Sequence, residues 1–467
     1  LRRTKIVATL GPASFDRDVM GKMIDAGLNI ARLNFSHGSH KSHGETIDKV
    51  RELAKEKDKC VGILQDLCGP KIRLGILPDE GIKLKNGDSC ILSSEISAEE
   101  GSIPVQYDHL AEDLTVGDRI LLADGAMELA VKSINGKKVE CTVLNGGVAY
   151  SKKGVNMPST NLSIVAFTEK DKKDLLFGLE KGVDIVALSF VRDASDLEEI
   201  KSIITSSNNP PLLIAKIEKP QAVENLEEIL DIVDGVMVAR GDLGVEMPMY
   251  DVPVIQKEIL EKARKAGKIS ITATQMLKSM VENYRPTRAE CTDVANAMFD
   301  GTCAVMLSEE TASGDFPVEA VQVMRNIAES TEKHIDYEKF RISDAHSTTI
   351  SSAVGRSAAW LAKDLNAKAI IAYTQSGFTA RSVAKFRPPC PILGLTPNPK
   401  TFNKLNIMWG VEPGVTGSFE HTRHMFEAAG KMAIEKGLAQ KGDTIIITAG
   451  TPLGVKGSTN LIKVYQC

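Results

Sequence analysis

Aromatic residues are scarce in this sequence, with Phe, Trp and Tyr making up 5% of 467 residues. That leaves little material for the stacking platforms that hold single-stranded nucleic acid. An excess of either charge is also missing: 57 Lys and Arg stand against 61 Asp and Glu, a formal net charge of −4. A general nucleic-acid binder carries a basic excess, so no nucleic-acid partner is expected. No apolar run approaches the roughly 20 residues of a membrane-spanning helix, and no membrane partner is expected. The amino-terminal Leu1-Arg2-Arg3-Thr4-Lys5 is not followed by a signal-peptide core and cleavage site. The eight cysteines are scattered and none forms a C-x-x-C pair, which argues for reduced thiols and a cytoplasmic protein. At roughly 100–200 residues per domain, the length implies about three domains.

What the chain does contain falls into three textures. Residues 1–69 and 158–335 alternate short apolar runs with amphipathic stretches. The runs are Lys5–Leu10, Asn29–Leu33, Val61–Asp66, Asp184–Phe190, Leu212–Ile217, Gly235–Ala239, Lys268–Thr274 and Cys303–Leu307. Continuous apolar strands are what a parallel sheet covered on both faces requires. Eight βα units predict a closed (β/α)8 barrel of α/β class. Residues 70–157 carry closely spaced turn signals, among them Asn86-Gly87, Asp124-Gly125 and Asn135-Gly136. They predict a small inserted antiparallel β domain, a barrel, placed as a lid at the catalytic mouth. Residues 345–467 predict a C-terminal α/β domain with a mainly parallel sheet.

The C-terminal ends of barrel strands are where this fold collects its chemistry. Here those ends are dense in polar groups. Lys216 and Glu218 lie two apart, so both face one side of their strand. Buried there, they must be paired or bound to a ligand. Asp242, one strand over, can join Glu218 as an oxygen ligand for Mg²⁺, which takes one or two carboxylates plus substrate oxygens and water. Arg32, Arg73, Lys216 and Lys153 add positive charge around that site. Cations and a metal around a transferring group suit phosphoryl transfer, whose catalysis is mostly positioning and charge neutralisation. No G-x-S-x-G elbow points to a hydrolase.

Plainer readings compete with each feature. A single K-x-E is more often structural than catalytic, and Asp242 in R-G-D-L-G can serve as a helix cap. The run His37-x-x-His40-x-x-His43 has the spacing of metal ligands, but a solvated surface is the expected setting of His40 and His43. His421-x-x-His424 likewise reads as surface. The loop Thr374-Gln375-Ser376-Gly377-Phe378-Thr379 leaves a strand and opens a helix, which suits an anion site or ordinary helix capping equally.

Longer motifs then narrow the choice. R-L-N-F-S-H-G at 32–38, K-I-E at 216–218, M-V-A-R-G-D-L-G-V-E at 237–246, T-A-T-Q-M-L at 272–277 and R-P-T-R-A-E at 285–290 resemble the pyruvate kinase family, and D-V-A-N-A at 293–297 and D-G-T-x-A-V-M-L-S-x-E-T at 300–311 extend the likeness. It covers essentially the whole chain. The resemblance implies phosphoryl transfer from phosphoenolpyruvate to ADP in glycolysis, yielding pyruvate and ATP. It implies Mg²⁺, with Mn²⁺ as a substitute, held by Glu218 and Asp242. Lys216 would stabilise the phosphoryl group in flight and Arg32 would contact the phosphate. Gly241 and Thr274 would meet the carboxylate and enolate end, and Ser308 would serve the relay that protonates the enolate. Asn34, His37, Arg73 and Lys153 would lie near the nucleotide.

One departure carries weight. Many family members read D-T-K-G-P-E where this chain reads Asp66-Leu67-Cys68-Gly69-Pro70-Lys71. In them the Glu accompanies a required K⁺. Here Asn34, Ser36 and Asp66 remain at the monovalent-cation position, while Lys71 is expected to place its own charge there and make K⁺ unnecessary. Glu309 is a second departure, at a position where a small residue is commoner. In the C-terminal domain, Thr374, Ser376, Gly377 and Thr379 resemble the family's effector-phosphate loop, with Gly457-Ser458-Thr459-Asn460 beside it. The resemblance thus implies activation by a phosphorylated effector, a homotetramer, and an interface near Arg285–Arg288. Two other functions stay open on the residues alone: a Mg²⁺-dependent lyase on the same barrel, and a catalytically silent effector sensor.

Overall fold

The computed structural model describes all residues except 1, 99–101, 159, 161, 339, 341–348 and 454–456. Eight parallel strands close into a barrel: β1 (Lys5–Thr9), β2 (Ile30–Asn34), β3 (Gly62–Asp66), β4 (Ile185–Leu188), β5 (Leu212–Ile217), β6 (Gly235–Ala239), β7 (Ile269–Ala273) and β8 (Ala304–Leu307). Each neighbour pairs in sequence order and β8 returns to β1. The eight predicted runs are these strands, each within two residues at either end.

Alternation along the strands decides what the site contains. One packed cluster holds Val7, Ile30, Leu64, Ile185, Ala187, Ile214, Met237, Ile271 and Met306, which fill the barrel interior. The other holds Ile6, Ala31, Leu33, Ile63, Val186, Leu213 and Val238, which pack against the surrounding helices. Two residues on from an interior position, a side chain faces inward again. Thr9, Arg32, Asp66, Ser189, Lys216 and Ser308 therefore form the uppermost inward layer, with Glu218 just above Lys216.

Between β3 and β4 the chain builds the small β domain. Six strands lie in the order Val155–Asn156, Arg119–Leu122, Met127–Asn135, Lys138–Asn145, Ser89–Ser93, Ser102–Pro104. All pairings are antiparallel except the last, which is parallel. A two-stranded ribbon, Ile82–Leu84 with Gly147–Ala149, packs onto the same core. The Asn135-Gly136 turn closes its hairpin with Gly136 at φ 59°, a left-handed conformation that favours glycine.

The C-terminal domain carries β9 (Ile370–Tyr373), β10 (Ile392–Thr396), β11 (Val411–Val415), β12 (Thr444–Ala449) and β13 (Leu461–Gln466), in the order β11-β10-β9-β12-β13. Four strands are parallel and β13 is antiparallel. This domain seals the lower end of the barrel: Ile407, Met408 and Trp409 join the barrel's interior cluster. Lys5 Nζ donates to Val411 O at 2.7 Å, and burial pushes its ammonium down to about 8.

Close packing fixes the strand spacing at β6. A Cβ built on Gly235 would stand 2.5 Å from Ile269 O and 2.7 Å from Ile269 Cβ, atoms that belong to or adjoin the β7 backbone. Gly235→Ala should cost about 1–3 kcal/mol in urea unfolding, the range for overpacking a tight core. Unchanged or increased stability would show that the β6–β7 spacing is looser than described.

A candidate active site at the mouth of the barrel

The inward layer at the top of the barrel is a network of buried charges. Arg32 Nε meets Asp66 Oδ2 at 2.7 Å, and its Nη1 donates to Thr9 Oγ1 at 2.7 Å. Lys216 Nζ lies 3.5 Å from Asp66 Oδ1, 2.8 Å from Glu218 Oε1, and donates to Ser189 Oγ at 2.8 Å. The Phe190 backbone N–H donates to Glu218 Oε2 at 2.8 Å. The Glu218 and Asp66 side chains are 0% and 2% exposed, so none of these charges can rely on water.

Mutual pairing sets the protonation of the network. Burial would raise the Asp66 carboxyl, but Lys216 and Arg32 outweigh it and hold Asp66 below the usual carboxylate range. Burial would likewise lower the Lys216 ammonium, but Asp66, Glu218 and Asp242 overcome it and keep the lysine charged. Glu218 goes the other way: burial, with Asp242 nearby, raises its carboxyl despite Lys216. A second cation placed beside Glu218 and Asp242 would relieve that cost.

The donor set fits a divalent metal. Asp242 lies in the first turn of the helix Arg240–Glu246, and no side-chain cap bond is made there, so the capping alternative does not hold. Its carboxylate forms no hydrogen bond or ion pair among the described residues. Glu218 Oε1 meets only the Lys216 ammonium, without an aligned hydrogen bond. Two cations, Arg32 and Lys216, face three carboxylates, Asp66, Glu218 and Asp242, which leaves an excess of negative charge. No cluster of three or more His, Cys, Asp or Glu side chains suited to a metal occurs among the described residues. A metal here would thus take two protein carboxylates and complete its shell from substrate and water, as Mg²⁺ commonly does.

Around the network the backbone is strained. Thr274 sits at φ 70° and Phe190 at φ 58°, both left-handed. A β-branched residue there is an outlier that its surroundings must hold in place, and such outliers cluster at functional sites. Arg240 does the holding: its Nη2 donates to Thr274 O at 2.8 Å and its Nη1 to Asp293 Oδ1 at 2.6 Å. The Gly241 N–H then donates to Thr274 Oγ1 at 2.7 Å, which brings these two predicted residues together. Ser308 follows β8, and its N–H donates to Glu310 Oε2 at 2.7 Å.

Other predicted residues sit apart from this core. Asn34 Oδ1 accepts from the Ser36 N–H at 3.1 Å, and His37 is exposed. Arg73 and Lys153 are in the inserted domain, where Arg73 Nη1 donates to Lys152 O at 3.0 Å and the Leu74 N–H to Lys153 O at 2.8 Å. A cleft opens between the inserted domain and the barrel, lined in part by Lys71, Asn156, Phe190, Arg192, Lys219 and Asp242. Arg192 and Lys219 were not singled out from sequence. Ser189 was within reach, since it lies two residues beyond the inward-facing Ala187.

Two expectations need correcting. Lys71 is not brought to Asn34, Ser36 and Asp66; its ammonium stands 3.9 Å from Asp124 Oδ1 of the inserted domain. The chain leaves the barrel after Leu67, turning at Gly69 with φ 64°, so Lys71 already belongs to the stem of the lid. His43 is not a solvated surface residue. It is buried, stacks on Phe35 with ring centroids 4.1 Å apart, and bonds His37 O at 2.8 Å. His40 pairs with Asp174 at 2.7 Å and stacks on Phe177. Glu309 makes an exposed ion pair with Lys278.

In the C-terminal domain, Thr374 Oγ1 accepts from the Gly377 N–H at 2.9 Å, with Gly377 at φ 92°. Thr379 Oγ1 lies 3.0 Å from Thr459 Oγ1, joining the two loops, while Ser376 is exposed.

Residues 1–321 match the family model for the pyruvate kinase barrel domain and residues 352–465 that for the pyruvate kinase alpha/beta domain. A pyruvate kinase of Staphylococcus aureus is 47% identical over 100% of this chain and 80% of its own length. Pyruvate kinase 2 of a Synechocystis species is 48% identical over 99% of this chain and 79% of its own length. The crystal structure of a pyruvate kinase from Cryptosporidium parvum superimposes with a TM-score of 0.94 at 37% identity, covering 100% of this chain and 96% of that one.

Asp66 anchors both cations, so Asp66→Asn leaves Arg32 and Lys216 undercompensated. A loss of about 3–5 kcal/mol in unfolding free energy near neutral pH is expected. Asp66 has a depressed folded pKa, so its contribution is complete above its unfolded value of about 3.9 and fades as the pH falls through the folded one. The gap between wild type and variant should therefore narrow below about pH 4. A gap that stays constant down to that range would contradict the assignment.

Proposed function

The chain belongs to the pyruvate kinase family, and from that premise we propose how its own residues carry out the reaction. The activity is phosphoryl transfer between phosphoenolpyruvate and ADP, with pyruvate and ATP as products, and the family requires a divalent metal. Our reading is that the metal is Mg²⁺, replaceable by Mn²⁺, and that Glu218 and Asp242 hold it. Bound there, the metal would supply positive charge to the phosphate and to the enolate oxygen.

Each residue then has a defined task. Arg32, steadied by Asp66 and Thr9, binds the phosphate. Lys216 remains charged because three carboxylates surround it, and it neutralises the phosphoryl group in transit. Gly241 and Thr274 orient the carboxylate end of phosphoenolpyruvate, with Thr274 held by Arg240. Ser308 serves proton delivery to the enolate carbon. Asn34, His37, Arg73 and Lys153 meet the nucleotide when the inserted domain covers the mouth. The observation that carries the reading is the buried Arg32–Asp66–Lys216–Glu218 network, with the Asp242 carboxylate beside it unpaired among the described residues.

We read the enzyme as independent of K⁺. Asp66 is committed to Arg32 and Lys216, and buried Leu67 offers no side-chain oxygen, so a monovalent cation would find few donors. Lys71 brings a cation to the cleft instead of the carboxylate that many relatives have. A phosphorylated metabolite is proposed to bind beside Thr374, Ser376, Gly377 and Thr379. The protein is proposed to act as a cytoplasmic homotetramer; no helix among the described residues is long and apolar enough to cross a membrane.

The test is pyruvate formation from phosphoenolpyruvate, ADP and Mg²⁺ in K⁺-free buffer. Full turnover of the native enzyme is expected, since Asp66 stays committed to Arg32 and Lys216. Turnover of the native enzyme only with K⁺ would discard the cation argument, and pyruvate release without ADP would favour a lyase. Lys216→Gln should lower kcat by about 10²–10³ with little change in KM, the pattern for an interaction made chiefly in the transition state. A rise in KM alone would assign Lys216 to ground-state binding.

A further inference from the structure

Three polar residues outside the assigned machinery meet where the inserted domain touches the barrel. Glu246 ends the helix Arg240–Glu246, one turn beyond Asp242, so both carboxylates lie on one helix face. Its side chain is 1% exposed. One oxygen, Oε1, accepts from Lys219 Nζ at 2.6 Å and from Asn156 Nδ2 at 2.7 Å, while Oε2 has no partner. Lys219 directly follows Glu218. Asn156 lies on the edge strand Val155–Asn156 of the inserted domain. A single carboxylate oxygen therefore joins three segments: the one carrying Glu218, the one carrying Asp242, and the lid.

Charge makes this junction conditional on closure. The Lys219–Glu246 pair is internal to the barrel mouth and stays when the lid moves. Asn156 leaves with the lid, and its amide is the only donor the lid contributes to Glu246 among the described residues. The nearby Lys71–Asp124 pair is weaker, 3.9 Å long and confined to the lid and its stem. We propose that Glu246 is a positioning residue, a latch that takes the Asn156 amide and so couples closure of the inserted domain to the placement of Glu218 and Asp242. This rests on the reading of Glu218 and Asp242 as the substrate-side metal site.

A swap of charge and amide tests the latch. Asn156→Asp sets a carboxylate against Glu246 and should favour the open lid. Substrate must then drive closure, so the apparent affinity falls by the closed fraction. KM for phosphoenolpyruvate should rise about ten-fold, the worth of one hydrogen bond to a charged group, with kcat within about three-fold of the native value. The double variant Asn156→Asp with Glu246→Gln restores a donor–acceptor pair in reverse: the introduced amide can donate to the introduced carboxylate, while the amide oxygen still accepts from Lys219. KM should return to within about three-fold of native. Hydrogen exchange at 119–122 and 155–157 should rise in Asn156→Asp and recover in the double variant. A merely structural role would lower kcat through a smaller active fraction, leave KM alone, and leave the double variant no better than the single one. Either that pattern or unchanged KM and exchange in Asn156→Asp overturns the proposal. Asn156→Ala, which removes the bond without repulsion, guards against misfolding and should show a smaller KM rise of the same kind. Native enzyme that fails to turn over phosphoenolpyruvate would sink the functional reading, while the exchange measurement would still decide the latch.

Discussion

Everything at the catalytic end of this protein depends on one constraint: two cations and two carboxylates share a space with almost no water. Arg32, Asp66, Lys216 and Glu218 come from β2, β3 and the end of β5, and each is placed by the same inward alternation that fills the barrel below. Buried ion pairs seldom add stability over apolar packing, because desolvation offsets their attraction. Their presence here is therefore better explained by chemistry than by folding. The network holds Lys216 charged and Asp66 ionised, and it leaves Glu218 under strain beside Asp242. An arrangement that is costly when empty and relieved by a cation and an anionic substrate is preorganised for both.

The rest of the fold serves that end. The C-terminal domain plugs the lower end of the barrel with Ile407, Met408 and Trp409, so the mouth is the open end for ligands. The inserted domain leaves from the end of β3, directly after Asp66, and returns before β4. Its stem is thereby tied to the strand that carries the central carboxylate. The strained Thr274 and Phe190 sit at the ends of β7 and β4, in left-handed conformations that their surroundings must hold in place.

Much of this was legible before any coordinates. Each barrel strand was readable as a short apolar run because both of its faces are buried, one by the interior and one by helices. The pairing of Lys216 with Glu218 followed from a two-residue spacing, and the strand-end rule placed Asp242 and Arg32 near them. What was not legible required three dimensions. The partnership of Lys216 with Asp66 and Ser189 joins residues far apart in the chain, and spacing carries no distance across a barrel. Lys71 follows Asp66 by five residues, yet a left-handed turn at Gly69 sends it into the lid. His43 looked solvated because its neighbours are polar, but Phe35 stacks on it from the preceding strand end. Glu246 closes the motif at 237–246, but the motif attaches no role to it; its weight comes from one oxygen reached by two donors from different segments.

The central claim is that Glu218 and Asp242 form a divalent-cation site that the buried network prepares. Titration of the protein with Mn²⁺, followed by the electron paramagnetic resonance of the free ion, tests this without relying on turnover. One site per chain is expected in the presence of phosphoenolpyruvate, with Glu218→Gln and Asp242→Asn each weakening it at least about ten-fold, since each removes a charged oxygen ligand. If either variant bound Mn²⁺ as the native protein does, the metal would be held elsewhere and the claim would fail.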